Sequence, residues 1–481
     1  MTETTTPFWI AGQPRMGDTA LHVSHPYDGR PAGIVSIPTA EQVEEALAAA
    51  DAVRYTAATL PAHTRADALE HVSARLAERA DEIARVITAE TGKPLKWSRG
   101  EVTRAASTFR FAAEEARRWS GEMQRLDTET ASAGRIAVNR RHPRGPVLAI
   151  TPFNFPLNLV AHKVAPAIAV GAPVIVKPAP KTPLSALLLG QLLAETDLPS
   201  GVFSVLPVDN DITMRLVHDA RLPVVSFTGS AAVGWSIKDA VPRKHVTLEL
   251  GGNAAVLVCG DWSSAADLDW AAHRIATFAN YQAGQSCISV QRVIADRAVY
   301  DELRERTITA TKALHTGDPW DEHTDVGPLI NDAAAQRITA WVDEAVAAGA
   351  KVLVGGFRDG SSYAPTILEG VPQNAKVWTE EVFGPVVSMA VATDLDEALR
   401  MADESRYGLQ AGVFTHDIQT AFRASARLNV GGVIVGDVPS YRADQMPYGG
   451  MKASGAGREG IRAAMEDYTE VRVLVFAGVD L

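Results

Sequence analysis

The apolar positions of this chain recur with two different periods, and the change between them falls near Pro146. Before it the spacing is helical. Thr39-Ala40-Glu41-Gln42 has the form of a capping box and opens a helix with Val43, Ala46, Leu47, Ala50 and Val53 on one face. Leu69, Val72, Leu76, Ile83 and Ile87 predict a second helix over about 64–90, with a stop near Gly92-Lys93-Pro94. A third is expected over about 101–119. The alternation over 133–142, beginning Gly134-Arg135-Ile136-Ala137-Val138, reads as one arm of a hairpin.

After Pro146 the apolar residues gather into short runs. Val147-Leu148-Ala149-Ile150, Val174-Ile175-Val176, Phe203-Ser204-Val205-Leu206, Val224-Val225-Ser226-Phe227 and His245-Val246-Thr247-Leu248-Glu249 are expected strands, with 157–170 and 183–193 as crossover helices. Apolar strands joined by helices imply a parallel sheet covered on both faces. A second set follows: a strand at 290–294, helices at 300–313 and 333–348, and strands at 352–354, 386–391, 412–414 and 433–435. The expected class is therefore α/β with two sheet-bearing units, Glu249-Leu250-Gly251-Gly252 lying near their seam. Residues 469–476 read as a terminal strand that pairs elsewhere.

Composition narrows the partners. The 481 residues carry 46 Lys and Arg against 57 Asp and Glu, a net charge of −11 with no like-charge block, which argues against a nucleic-acid or membrane-surface partner. Two cysteines cannot build a disulfide framework, so a reducing, cytoplasmic setting is expected. The stretch 157–176 contains His162, Lys163, two prolines and a glycine and does not read as a membrane span, and the first residues show no signal-peptide pattern. No metal-ligand pattern stands out.

The chemistry centres on Cys287, in Gly284-Gln285-Ser286-Cys287-Ile288-Ser289. A single cysteine is more often a small buried hydrophobe, a description that suits Cys259 at the end of its apolar run. Around Cys287 stand a carboxylate in Glu249-Leu250-Gly251-Gly252-Asn253, an amide in Pro152-Phe153-Asn154-Phe155-Pro156 and a lysine in Lys177-Pro178-Ala179-Pro180. Phe227-Thr228-Gly229-Ser230 leaves a strand and enters a helix through Gly234, a place where exposed amides suit a phosphate. Taken alone it is equally an ordinary strand–turn–helix corner. Lys177 ends a strand, where open α/β sheets place ligands.

These motifs, followed by Glu381-Val382-Phe383-Gly384-Pro385, Pro447-Tyr448-Gly449-Gly450-Met451-Lys452 and Ser454-Gly455-Ala456-Gly457-Arg458-Glu459-Gly460, resemble in order the aldehyde dehydrogenase superfamily from about Pro26 onward. The resemblance implies a Rossmann-type cofactor domain (1–122 and 142–250), an α/β catalytic domain (251–445) and a bridging β arm (123–141 and 462–481) that makes dimers or tetramers. It implies that Cys287 is the nucleophile, activated as a thiolate by local positive potential, that Asn154 and the Cys287 N–H stabilise the alkoxide, and that Glu249 activates the hydrolytic water. NAD or NADP would lie along Ile150, Thr151, Pro152 and Phe153. Lys177 would hold its adenosine ribose, with Ala179 and Pro180 beside it; Ser230 would contact its pyrophosphate, with Phe227, Thr228, Gly229 and Gly234 around it. Leu250, Gly251, Glu381 and Phe383 would face the nicotinamide end.

Many NAD-preferring relatives have glutamate where this chain has Pro180, so weakened discrimination between NAD and NADP is expected. The surroundings of Cys287 and of Asp437-Val438-Pro439-Ser440-Tyr441-Arg442 look most like the lactaldehyde and non-phosphorylating glyceraldehyde-3-phosphate dehydrogenases. Phe155, Leu159 and His162 are expected to line a substrate tunnel. Arg442 or Arg104 could pair with an anionic tail, though a surface ion pair accounts for either equally well. A small aliphatic or hydroxylated aldehyde is the expected substrate. A CoA-acylating enzyme and a non-catalytic structural protein remain the alternatives, and Glu249 speaks against the first.

Overall fold

The computed structural model describes residues 5–478. In its first sheet Phe203–Val205, Val174–Lys177, Val147–Ile150, Val224–Thr228 and His245–Glu249 lie side by side and parallel. Phe8–Ile10 and Gln13–Arg15 extend one edge antiparallel, and Gly455–Ala456 closes the other. Every residue of Val147–Ile150 and Val174–Lys177 is buried, as a strand with helices on both faces must be. The crossover helix Asn158–Val170 is buried along its whole length, packed against the sheet, Leu95–Arg118 and Ile461–Asp467.

Chain order reverses between Val147–Ile150 and Val224–Thr228, which opens a crevice at the carboxyl ends of the strands. Ile150, Lys177, Thr228 and Glu249 all end strands at that edge. The second sheet runs Lys351–Val354, Thr366–Glu369, Val386–Ala392, Val290–Asp296, Ala254–Val258, Gln410–Phe414, Gly432–Val435, parallel throughout except at the first pair. The chain leaves the first sheet at Glu249 and enters the second at Ala254.

The arm is a three-stranded antiparallel sheet of Glu122–Arg125, Arg135–Pro143 and Thr469–Ala477. Its outer strand leaves Val471, Val473, Leu474, Val475 and Phe476 exposed. The boundary expected at 462 falls inside the helix Ile461–Asp467, whose Ile461 and Met465, with the following Tyr468, complete the core of the first unit. The arm's strand begins only at Thr469.

The expected helix over 64–90 is two, Ala62–Glu78 and Ala80–Thr91, with Arg79 at φ −100° and ψ 23° between them. Leu76 and Ile83 stay in phase across the break, so the apolar spacing did not reveal it. Cys259 lies one residue past Ala254–Val258 and is half-buried rather than enclosed in the strand. Among the described residues no helix is long and apolar enough to cross a membrane, and no group of acidic, His or Cys side chains could hold a metal ion.

Candidate active site

The crevice at the sheet edge deepens into a cleft of about 600 Å³ between the two units, and every residue singled out for a dinucleotide lines it except Gly234. Gly234 is a packing residue instead. A Cβ there would come within 2.4 Å of Leu250 Cδ2 and 3.2 Å of Phe227 Cδ1, so glycine lets the helix Ala231–Ala240 close onto both. Ser230 precedes that helix and makes no side-chain cap, which leaves the first amides free for an anion.

Lys177 is 5% exposed, and burial pushes its ammonium pKa down to about 8 against the pull of Asp209. Glu381 accepts from the Gly252 N–H at 3.0 Å, and burial raises its carboxyl to about 7. A Cβ on Gly251 would lie 2.2 Å from Glu381 Oε2, so glycine is what allows that carboxylate to close on the backbone. Phe383 has the positive φ of 50° and meets the Phe153 ring edge-on at 5.8 Å. Bare backbone beside a carboxylate, an uncapped helix start and a buried lysine fit a dinucleotide. Asn210, Thr213, Met214, Val233 and Arg337 also line the cleft and were missed, because nothing in their local sequence marks them. Tyr448 and Glu459 line it too, from motifs that had been given no role.

Cys287 follows a sharp turn in which Gln282, Ala283 and Gly284 have φ of 55°, 52° and 70°. A Cβ on Gly284 would lie 2.1 Å from the Gly384 carbonyl oxygen. The turn delivers Cys287 to the wall between the cleft and a recess of about 40 Å³, both of which it lines. Its Sγ is 3.0 Å from Tyr448 Oη. Burial pushes the thiol up to about 12; the Tyr448 hydrogen bond and the Arg442 charge pull it down, and Glu381 and Glu249 push it further. Desolvation, as the largest influence, therefore works against the expected thiolate and outweighs the local positive charge.

Asn154 is 4% exposed; its Nδ2 donates to the Gln285 carbonyl at 3.0 Å and its Oδ1 accepts from the Phe155 N–H at 3.2 Å. Lys93 donates to the Asn154 carbonyl at 3.0 Å and ion-pairs with buried Glu101. Glu101 in turn accepts from the Leu157 and Asn158 N–H groups at 3.0 and 3.1 Å. Glu249 is 3% exposed, and neither carboxyl oxygen has a hydrogen-bond partner among the described residues. Burial, then the charge of Glu459, holds its carboxyl well above the usual range, against Arg442, Lys163 and Arg458.

Glu459 is the hub beside it. It accepts from Lys163 Nζ at 2.9 Å, Thr228 Oγ1 at 3.2 Å and Arg442 at 3.1 Å. Burial opposes its ionisation, but Lys163 and Arg442 win and hold it well below the usual range. The recess beyond Cys287 is walled by Arg104, Phe155, Leu159, Tyr281 and Arg442 among others. Arg104 grips Asp444 at 2.8 and 3.4 Å, and Arg442 lies 3.8 Å over the Tyr448 ring. His162 does not line the recess, contrary to expectation. It is wholly buried, its Nε2 is 3.0 Å from Asp444 Oδ1, and burial with nearby Arg442 pushes its pKa down to about 4.

The profile of the aldehyde dehydrogenase family matches residues 9–474, and the chain belongs to that family. It is 42% identical over 457 residues to a 3-sulfolactaldehyde dehydrogenase of Priestia aryabhattai, covering 95% of this chain and 94% of the relative. Aldehyde dehydrogenase 21 of Physcomitrella patens, solved with the reaction product succinate, superposes with a TM-score of 0.97 at 44% identity, covering 100% of this chain and 99% of the other. The glyceraldehyde-3-phosphate dehydrogenase of Methanocaldococcus jannaschii, solved with NADP, gives a TM-score of 0.90 at 34% identity over 96% of this chain and 99% of the other. The protein is accordingly an NAD(P)-dependent aldehyde dehydrogenase.

Proposed function

We propose that the chain oxidises a small aldehyde bearing an anionic tail to its carboxylic acid, through a thioester on Cys287. The observation that carries this reading is that Cys287, Asn154 and Glu249, far apart in sequence, open onto one cleft. Cys287, once deprotonated, adds through Sγ to the aldehyde carbon while the carbonyl electron pair moves to oxygen. The second Asn154 amide hydrogen and the Cys287 N–H stabilise that alkoxide. When bound, the oxidised dinucleotide supplies the hydride acceptor. Glu249 as carboxylate then takes a proton from water, whose oxygen adds to the Cys287 thioester and releases the acid.

The recess supports the anionic tail. Arg104 and Arg442 both line it, Arg104 paired with Asp444 and Arg442 with Glu459. The relatives agree in kind: sulfolactaldehyde is a small hydroxylated aldehyde with a sulfonate, and succinate is a dicarboxylate. Pro180 beside Lys177 can neither bind ribose hydroxyls nor repel a phosphate, so both cofactors should serve. In this reading the first unit holds the cofactor, the second supplies the nucleophile, and the exposed apolar strand Thr469–Ala477 joins copies into dimers or tetramers in a reducing cytoplasm.

The test is a panel of sulfonated, carboxylated and neutral short aldehydes crossed with NAD and NADP, followed by absorbance of the reduced cofactor. Turnover that is fastest with the anionic members, and abolished by Cys287→Ala, is expected. Oxidation surviving in Cys287→Ala, or a preference for neutral aldehydes, would overturn the corresponding half of the reading.

A further inference from the structure

Tyr448 is the one hydrogen-bond partner of the Cys287 sulfur among the described residues, at 3.0 Å. The contact joins residues 161 positions apart. Both line the cleft and the recess, so the phenol stands with the thiol in the wall where aldehyde and cofactor would meet. Tyr448 is 3% exposed and packs with Ile288 and Leu409 in a small apolar cluster that also touches Cys287. A buried hydroxyl among apolar side chains is costly unless its hydrogen bond is made, and this one is made to sulfur.

The ring is loaded from its other face. The Arg442 guanidinium lies 3.8 Å from the ring centroid, its side chain 6% exposed and held by Glu459, which Lys163 and Thr228 hold in turn. A desolvated cation over an aromatic face draws electron density from the ring and sharpens the attached O–H as a donor. Arg442, Glu459, Lys163 and Thr228 thus converge to orient one phenol at one sulfur.

We propose that Tyr448 is a further catalytic residue, whose O–H donates to Cys287 Sγ and stabilises the thiolate before and during attack on the aldehyde. The inference rests on the reading of Cys287 as nucleophile. In the resting state the thiol and phenol share the hydrogen bond. When the thiol loses its proton to water, the phenol O–H turns to the sulfur and holds the negative charge. As the S–C bond forms, that charge passes to the carbonyl oxygen and the hydrogen bond to sulfur weakens, with no proton leaving Tyr448. A donor to a charged acceptor is stronger than a neutral pair, and here it acts against the burial that raises the thiol.

The experiment is alkylation of the whole protein by iodoacetamide across pH, in wild type and Tyr448→Phe, with the modified cysteine assigned by peptide mass so that Cys259 is kept apart. Phenylalanine keeps the ring, its apolar packing and the Arg442 contact; a melting curve and a cofactor titration check that fold and cleft persist. The expected result is alkylation of Cys287 at least about tenfold slower at neutral pH in Tyr448→Phe, its pH profile moved upward, and kcat/KM lowered in parallel while cofactor affinity holds. Superimposed alkylation profiles would overturn the proposal, even with lowered activity, because a merely structural tyrosine would not move the thiol's titration. Oxidation retained by Cys287→Ala would fail differently: the nucleophile reading would fall while the alkylation difference between wild type and Tyr448→Phe remained.

Discussion

Lys93 donates to the backbone carbonyl of Asn154 at 3.0 Å from a side chain with no exposed surface, and lies 4.1 Å over the ring of Phe155. Its counter-ion Glu101 caps the first amides of the helix that follows. One buried pair therefore fixes both the backbone of Asn154 and the start of Asn158–Val170. Lys93→Met leaves Glu101 buried without its partner, which typically costs about 3–5 kcal/mol. A lowered melting temperature is expected, with kcat reduced more than KM; thermal melts beside steady-state kinetics on the folded fraction read both.

Glu249 should control the second half of the reaction. Its raised carboxyl must lose a proton before it can take one from water, so thioester hydrolysis should rise with pH above the usual carboxylate range. In Glu249→Gln that rising limb disappears and the acyl enzyme accumulates, visible as added mass on the Cys287 peptide. If no adduct builds up under turnover, the base lies elsewhere.

The arginines of the recess predict a split by substrate charge. Arg104→Ala should raise KM for an anionic aldehyde by about tenfold or more, the worth of a charged hydrogen bond, and leave a neutral aldehyde of the same length nearly unaffected. Equal losses for both would mean that Arg104 serves only to hold Asp444.

Pro180 predicts the direction of a cofactor switch. Pro180→Glu places a carboxylate beside Lys177, where it can accept ribose hydroxyl bonds and repel a 2′-phosphate. The ratio of kcat/KM for NAD over NADP should rise by about tenfold or more, the scale of one charged hydrogen bond. An unchanged ratio would transfer the discrimination to another residue of the cleft.

A pH dependence of stability follows from Glu90. This fully buried carboxyl accepts from Leu184 N–H at 2.7 Å and Ser185 N–H at 3.0 Å, and burial raises it from 4.5 to about 8, against those hydrogen bonds. A raised folded value means that its contribution is full below the unfolded pKa of 4.5 and is lost as pH climbs through about 8. Melting temperature should fall between about pH 4.5 and 8 in the wild type and fall less in Glu90→Gln; parallel slopes would assign the loss to other groups.

Much of this could be read from the chain. Val147–Ile150 and His245–Glu249 coincide with their expected runs, and the Thr39 capping box forms with Gln42. Strand runs and caps are decided by neighbours in sequence, so one dimension suffices. The long helix over 64–90 was misread because apolar phase survives the break at Arg79. The helix Ala265–Asn280, with its own capping box at Ser264, was passed over although its signal was there.

The sequence by itself determined the α/β class, the order of the motifs and the side chains able to act as nucleophile, amide and carboxylate, since these are properties of residue type and spacing. Only the tertiary structure decided their states. That Cys287 lies against Tyr448, that burial raises a Glu249 carboxyl without a hydrogen-bond partner among the described residues, that His162 turns away to Asp444 and that Gly234 packs against Leu250 and Phe227 all depend on burial and on partners remote in the chain. Lys163 and Glu459, 296 residues apart, meet only because the C-terminal segment returns to the first sheet. Desolvation and charge act through space, and no local pattern encodes the space.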